Sequence, residues 1–316
     1  MACWSLIDFE PTEMPGWRTS KKENSTPVIS TLKTSVMLQQ IVKFQAKYMT
    51  TNVNHQCSFE ELVRFVQIIC KEEHVGTYEN ENKTKDIISK VMAADNNPIR
   101  LTSRKEVETA NVAKAVLTLQ NRVNEEKDDC KGLLEIDECI LGIHRILLTG
   151  LDDQLMTPAG KFSQFLRSAE YNGEVHFYPR FGSQEEARDA VQLCLDRYNE
   201  LFSEISKQKK QNLHLFVSQI FKLSSYLLFT LISLHPFGDG NGRLCRLLAN
   251  YCLSTMTPFP SPIYNVYTPS MHEDFLNSII TCRNSNDKKP RDLCALIIEA
   301  NYASWLDYIK TNKVLT

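Results

Sequence analysis

Apolar residues recur at three- and four-residue steps through most of this chain of 316 residues, and that spacing predicts helices. Thr34 to Tyr48 follows it. Ser58 to Ile69 does too, with Ser58 and Glu61 spaced as a capping box at the helix start. Glu106 to Val123 places Val107, Ala110, Val112, Ala113, Val116, Leu117 and Leu119 along one side of an amphipathic helix. Leu133 to Leu148 repeats the pattern after a charged loop. Ser183 opens another helix, with Glu186 as its cap partner. Leu213 to Leu234 has so little polar surface that it reads as the central helix. Further helices fit Arg243–Leu253, His272–Arg283 and Arg291–Ile309. Glu72 to Lys85 is polar and ambiguous. Thr157 to Gly182 contains Pro, Gly and the alternating run Val175-His176-Phe177-Tyr178, which predicts a short hairpin. The fold class expected is all-α, a helical bundle with one short β insertion. Residues 1–30 read as an irregular arm, 31–100 as an N-terminal helical region and 101–316 as the main domain.

Composition narrows this modestly. Apolar content of 42% and charged content of 23% are those of a soluble globular protein. A formal charge of −2 argues against a general attraction to nucleic acid or anionic membrane. The apolar stretch from Tyr226 to Leu234 is too short to span a bilayer. Ten cysteines occur without CxxC pairs or zinc-ligand spacing. With no secretory leader they read as reduced thiols, which places the protein in the cytoplasm, with the nucleus as the alternative.

The periodicity breaks sharply at LHPFGDGNGRLCR, Leu234 to Arg246. A helix–loop–helix connection would need some glycine, but not a His, an Asp, an Asn and two Arg in a dozen residues. The Walker A spacing is absent, a calcium loop lacks its distal Glu, and no strand precedes the glycines as a dinucleotide fingerprint requires. Glycines at 238, 240 and 242 let the backbone approach an anion, and the helix that follows points its free amides and dipole at the same place. Arg243 and Arg246 lie one turn apart, so both guanidinium forks can face a phosphate. Asp239 among these donors suggests a bridging Mg²⁺, which takes one or two carboxylates plus phosphate oxygens. His235, at the rim, suits proton abstraction from a nucleophile.

HPFGDGNGRLCR resembles the Fic motif, HPFx[D/E]GN[G/K]RxxR, at every defined position. The resemblance, sharpest there and weaker over about residues 105–310, implies a Fic-type helical bundle with extra N-terminal helices. It implies transfer of AMP from ATP to a Ser, Thr or Tyr hydroxyl of a target protein. His235 would be the base, Phe237 the loop's anchor and Asp239 the Mg²⁺ ligand. Gly240, Asn241 and Gly242 would form the anion hole, and Arg243 and Arg246 would bind the outer phosphates. Thr157 to Phe162 looks like the family's PGxxR segment, with Ser163 and Gln164 near the usual arginine. His176, Phe177, Tyr178 and Pro179 look like the flap that pins a target by backbone pairing, a mode of strand addition.

Many Fic proteins carry an inhibitory [S/T]xxxE[G/N] helix whose Glu pairs with the second motif arginine. Thr77-Tyr-Glu-Asn-Glu81-Asn82 fits that pattern, as does Thr19 to Asn24. The first follows a helix and leads into the apolar segment from Ile87 to Met92, which favours a Glu81–Arg246 brake. The same loop in relatives also removes AMP, with the Glu positioning water, so a de-AMPylase is the enzymatic alternative. A non-catalytic nucleotide-binding module is the alternative outside catalysis, and a homodimer is among the partners the family implies.

Overall fold

The computed structural model describes residues 3–20, 31–50, 57–94, 99–125, 131–151, 157–171, 173–267 and 272–312. Eleven α-helices occur among them: α1 (Gly16–Ser20), α2 (Thr34–Thr50), α3 (Phe59–Glu72), α4 (Glu81–Ala93), α5 (Arg104–Glu125), α6 (Ile143–Leu148), α7 (Gln184–Ser206), α8 (Leu213–Leu234), α9 (Asn241–Leu253), α10 (Glu273–Asn284) and α11 (Arg291–Asn312). The one sheet is a hairpin of β1 (Ser168–Tyr171) and β2 (Glu174–Phe177). The fold is therefore all-α with a small antiparallel insertion, as the periodicity predicts.

The helix starts follow from capping chemistry. Ser58 Oγ accepts from the Glu61 N–H at 3.3 Å while Glu61 Oε2 accepts from the Ser58 N–H at 2.8 Å, so both sides of the capping box are made. Ser183 Oγ accepts from the Glu186 N–H at 3.0 Å at the start of α7. The ambiguous stretch after Glu72 resolves into a tight turn. His74 and Gly76 adopt left-handed φ of +53° and +74°, and Asn80 then caps α4. The predicted helix over Leu133–Leu148 is split into a π-helical stretch, Ile136–Gly142, and α6.

Helix α8 is the axis, packed against α2, α7, α9 and α11. Its length and composition would suit a membrane span, unlike the shorter apolar run read from the sequence. Its apolar residues instead face neighbours: Val217, Ile220, Phe221, Leu227 and Leu228 have no exposed surface. One continuous hydrophobic core runs from Ile7 to Tyr308, so the N-terminal helices share it with the rest of the chain.

The described part of the N-terminal arm is anchored, though only Trp4–Leu6 and α1 are helical. Ile7, Phe9 and Trp17 are buried. Trp17 Nε1 donates to Glu299 Oε2 at 2.9 Å, and Arg18 pairs with the same buried carboxylate. Burial nevertheless pushes the Glu299 carboxyl up to about 7, with Arg18 opposing the shift. Three apolar residues without a period carry no signal of an element, which is why the sequence suggests a loose arm. Thr19 lies at the edge of this region, and Glu23 and Asn24, the second candidate brake, lie outside the described residues. The nine described cysteines are free, seven of them buried.

Candidate active site and its anion cradle

His235 ends α8 in a left-handed conformation, φ +46°, while its N–H still reaches the Leu231 carbonyl at 2.9 Å. Such a φ is uncommon outside glycine and costs roughly 1–3 kcal/mol. Pro236 then stops the helix, because it has no N–H to give. Phe237 is fully buried, stacked 3.7 Å from the His144 ring and 5.2 Å from Phe162. Asn241 closes the loop upon it. Its Oδ1 accepts from the Phe237 N–H at 3.0 Å and its Nδ2 donates to the Phe237 carbonyl at 2.8 Å. The Asn241 side chain therefore shapes the loop, and only its backbone amide is left for an anion. His144, read from the sequence as a packed histidine, braces the loop from behind. The Gly160 N–H donates to its Nδ1 at 2.9 Å, so Nε2 carries the proton and donates to the Asp239 carbonyl at 3.0 Å. Burial pulls the His144 pKa down to about 4 and keeps it neutral.

The cradle lies at the start of α9. Gly240 is its N-cap at φ +76°, a conformation that glycine adopts without strain. The first amides of the helix, at 241–243, have no intrahelical acceptor and sit at the positive end of the dipole. Arg243 is buried. Its Nη2 pairs with Asp239 Oδ1 at 3.0 Å, and its Nη1 is buried with no hydrogen-bond partner. An orphaned buried donor is rare, and this one belongs to the first turn of the helix that forms the cradle.

Arg246 is fully buried and each of its nitrogens has a partner. Nε donates to Glu73 Oε1 at 2.8 Å, Glu72 Oε2 lies at 3.6 Å, and Nη1 donates to the Ile263 carbonyl. Nη2 donates to His272 Nδ1 at 3.1 Å, and the guanidinium lies 3.9 Å over the Phe275 ring. Glu73 does more than pair. A Cβ built on Gly242 would overlap its carboxylate, so Glu73 seals the mouth of the cradle and Gly242 is the residue that leaves it room. Burial raises the Glu72 carboxyl, with Arg246 opposing, and burial holds the His272 imidazole down to about 4.

This arrangement corrects the expected Glu81–Arg246 brake. Glu81 is exposed at the start of α4 and pairs with Lys85 at 3.1 Å, and Asn82 is also exposed. Thr77 is buried, its hydroxyl bonded to those of Thr84 at 2.9 Å and Thr109 at 3.0 Å, which pins the turn after α3 to α4 and α5. The acid beside Arg246 is Glu73, at the C-cap of α3. Ile69 and His74 occupy the Ser/Thr and Gly/Asn places of the family pattern around it, so a search on that pattern passes over Glu73. The left-handed φ at His74 explains why such a position favours Gly or Asn.

The hairpin stands over His235. Its register pairs Ser168 with Phe177 and Tyr171 with Glu174. Just past β2, the buried Tyr178 ring stacks on the imidazole with centroids 3.8 Å apart and planes 14° apart. Arg167, not singled out by the sequence, ties the flap to the loop. It donates to the Ser163 carbonyl at 2.7 Å and to the Pro179 carbonyl, while the Ser163 N–H donates to Pro236 at 2.8 Å. His176 and Phe177 are exposed and line a groove of about 640 Å³ between the flap and α10. All four flap residues line this groove: Tyr178 is buried at its base, while His176, Phe177 and Pro179 are exposed, Pro179 tied to Arg167 through its carbonyl. Burial, with smaller contributions from the Arg167 and Arg283 cations, lowers the His235 pKa to about 4. Its Nδ1 is buried near the Ile232 carbonyl without a hydrogen bond of ordinary geometry.

Other residues singled out by the sequence lie outside the cradle. Cys245 is fully buried and its thiol is pushed well up by burial, so it packs. Tyr264 bonds Arg64 at 3.3 Å, and Tyr267 lies buried under Arg18.

Residues 136–253, which include the cradle and the flap, match the Fic/DOC family model. Over these residues the chain is similar to Fic domains. Fic domains commonly transfer AMP or other nucleotide groups to proteins. The fold agrees. A Fic domain containing signaling protein from Bacteroides thetaiotaomicron superposes with a TM-score of 0.53 at 18% identity, over 85% of this chain and 91% of that one. Residues 134–508 of Fic-1 from C. elegans give 0.59 at 16% identity, over 88% and 73%. A Fido domain-containing protein of Dictyostelium discoideum is 31% identical over 96 residues, 29% of this chain and 63% of that protein. A ribonucleoside-diphosphate reductase small chain of Ostreid herpesvirus 1 is 27% identical over 159 residues, half of this chain and 24% of that protein. The chain thus spans about a quarter of the viral relative and under two thirds of the Dictyostelium one.

Proposed function

We propose that this Fic domain transfers AMP from ATP to a Ser, Thr or Tyr hydroxyl of a protein and is held inactive by Glu73. The observation that carries the reading is the Glu73 carboxylate lodged between Gly242 and Arg246: an anion already occupies a cradle built for one. A phosphate displacing it would meet the α9 amides, the orphaned Arg243 Nη1 and the Arg246 fork. Asp239 is exposed, and among the described residues its carboxylate bonds only Arg243 and the Gly240 N–H, so it is available for Mg²⁺, which fits an ion that completes its shell with phosphate oxygens and water. When bound, such an ion would neutralise charge on the phosphates.

The chain's own residues supply the rest. His235, neutral under Tyr178, takes the proton of the target hydroxyl as its oxygen bonds the α-phosphorus. The bond to the bridging oxygen breaks and pyrophosphate leaves. Arg243 and the helix amides hold the leaving phosphates in line, and alignment of this kind is worth several orders of magnitude in rate. With Glu73 in place the Nε donor of Arg246 is taken and a carboxylate stands where the outer phosphate would sit. The test is to incubate wild type and Glu73→Ala with α-labelled ATP, Mg²⁺ and cell lysate. Strong labelling by the variant alone is expected, and no labelling by either protein overturns the reading. The same position of Glu73 favours one second reading, in which its carboxylate orients water and AMP is removed. AMP release from a pre-modified substrate by wild type, lost in Glu73→Ala, would decide for it.

A further inference from the structure

We infer that Arg283 selects targets carrying an acidic residue close to the modified hydroxyl. This deepens the transferase reading above and rests on it. Arg283 lies in the last turn of α10, half-buried, its guanidinium 5.2 Å from the Tyr178 ring that stacks on His235. Its guanidinium makes one hydrogen bond among the described residues, long at 3.4 Å, to the Ile232 carbonyl, and no ion pair there. By contrast Arg18, Arg64, Arg122, Arg188, Arg243, Arg246 and Arg291 all hold a carboxylate. A half-buried cation left without an acid at the edge of a reaction centre leaves its bidentate donor face for a ligand.

The surroundings favour a peptide chain as that ligand. The groove between flap and α10 is floored by Phe229 and Ile280 and walled by Phe177, whose side chain is left largely in solvent. Lys288 lines the same groove and caps the Arg283 carbonyl, so two cations stand together at this end. Glu174 is the acid of the lining. It sits at the hairpin turn opposite Tyr171 and pairs with neither cation. An extended segment advances about 3.3 Å per residue, so an acid engaging Arg283 lies within roughly three residues of a hydroxyl at His235. The phosphate cradle lies beyond His235 and has its own arginines, so Arg283 serves the target and not the nucleotide.

The test maps modified sites in lysate treated with Glu73→Ala and with Glu73→Ala/Arg283→Glu, using α-labelled ATP. It then measures transfer to synthetic peptides that carry the mapped hydroxyl with Asp, Asn or Lys at each of the three positions on either side. We expect Asp or Glu enriched near the sites and an Asp-over-Asn preference of about tenfold, the size of one charge-assisted contact. In the Arg283→Glu protein that preference reverses to Lys. Sites without an acidic bias, or a bias that survives charge reversal, overturn the inference while the transferase reading stands. Weakened ATP binding by Arg283→Gln, measured by calorimetry in the Glu73→Ala background, also overturns it by assigning Arg283 to the nucleotide. Absence of any labelling would instead overturn the transferase reading, and this inference with it.

Discussion

The phosphate cradle and the flap sit on two sides of one imidazole, yet they are built in opposite ways. In the cradle almost every polar group is committed. Asn241 is closed on Phe237, His144 on Gly160 and Asp239, and Arg246 on two carboxylates, a carbonyl and an imidazole. Across the flap, two four-residue strands pair with no further strand among the described residues, and Val175 and Phe177 lie in solvent. A site for one invariant ligand gains from preorganisation, because its dipoles need no rearrangement when charge arrives. A site for a protein chain gains from open strand edges, which read backbone and leave specificity to a few side chains. The exception on the rigid side is Glu73, whose carboxylate occupies the cradle and, in the proposed reading, leaves before the nucleotide enters.

The sharpest way to break this comparison is at the residue the two halves share. Replacing His235 by Ala should cut transfer by about 10²–10⁴-fold while ATP binding, measured by calorimetry in the Glu73→Ala background, stays within a few-fold. Loss of binding instead would place His235 in the cradle and not between the two sites. The next largest effect tests the plug. Glu73→Ala should raise ATP affinity and auto-modification by roughly 5–150-fold, the range of one intramolecular coupling. Equal affinities would mean the carboxylate is no competitor of the nucleotide.

A smaller effect reports the flap. In the proposed reaction the neutral imidazole is the active form, and burial beneath Tyr178 holds its pKa at about 4. Transfer should therefore persist as pH falls through 6.5 and decline only towards pH 4, since below that pKa the base is protonated. Opening the lid with Tyr178→Ala should move that acid limb upward towards the ordinary histidine value of about 6.5. A limb that stays put would show that Tyr178 is not what desolvates His235. Smallest of all, Glu81→Gly should leave labelling within about twofold of wild type, because an exposed i,i+4 pair with Lys85 contributes only a few tenths of a kcal/mol. A gain comparable to that of Glu73→Ala would restore Glu81 as the brake.

What the amino-acid order alone determined is local. Helix periods, the Ser58 and Ser183 caps, the buried anchor at Phe237 and the glycine cradle with its arginines are each specified within a few residues, so they are legible without the fold. What only the tertiary structure decided is which distant groups reach that cradle. Glu73 meets Arg246 across 173 positions of chain, His144 reaches Asp239 across 95, and Glu81 fits a six-residue pattern yet points to solvent. Spacing fixes the face of a helix, but the partner of that face depends on how α3, α5 and α9 pack together, and buried contacts of that kind leave no period in the sequence.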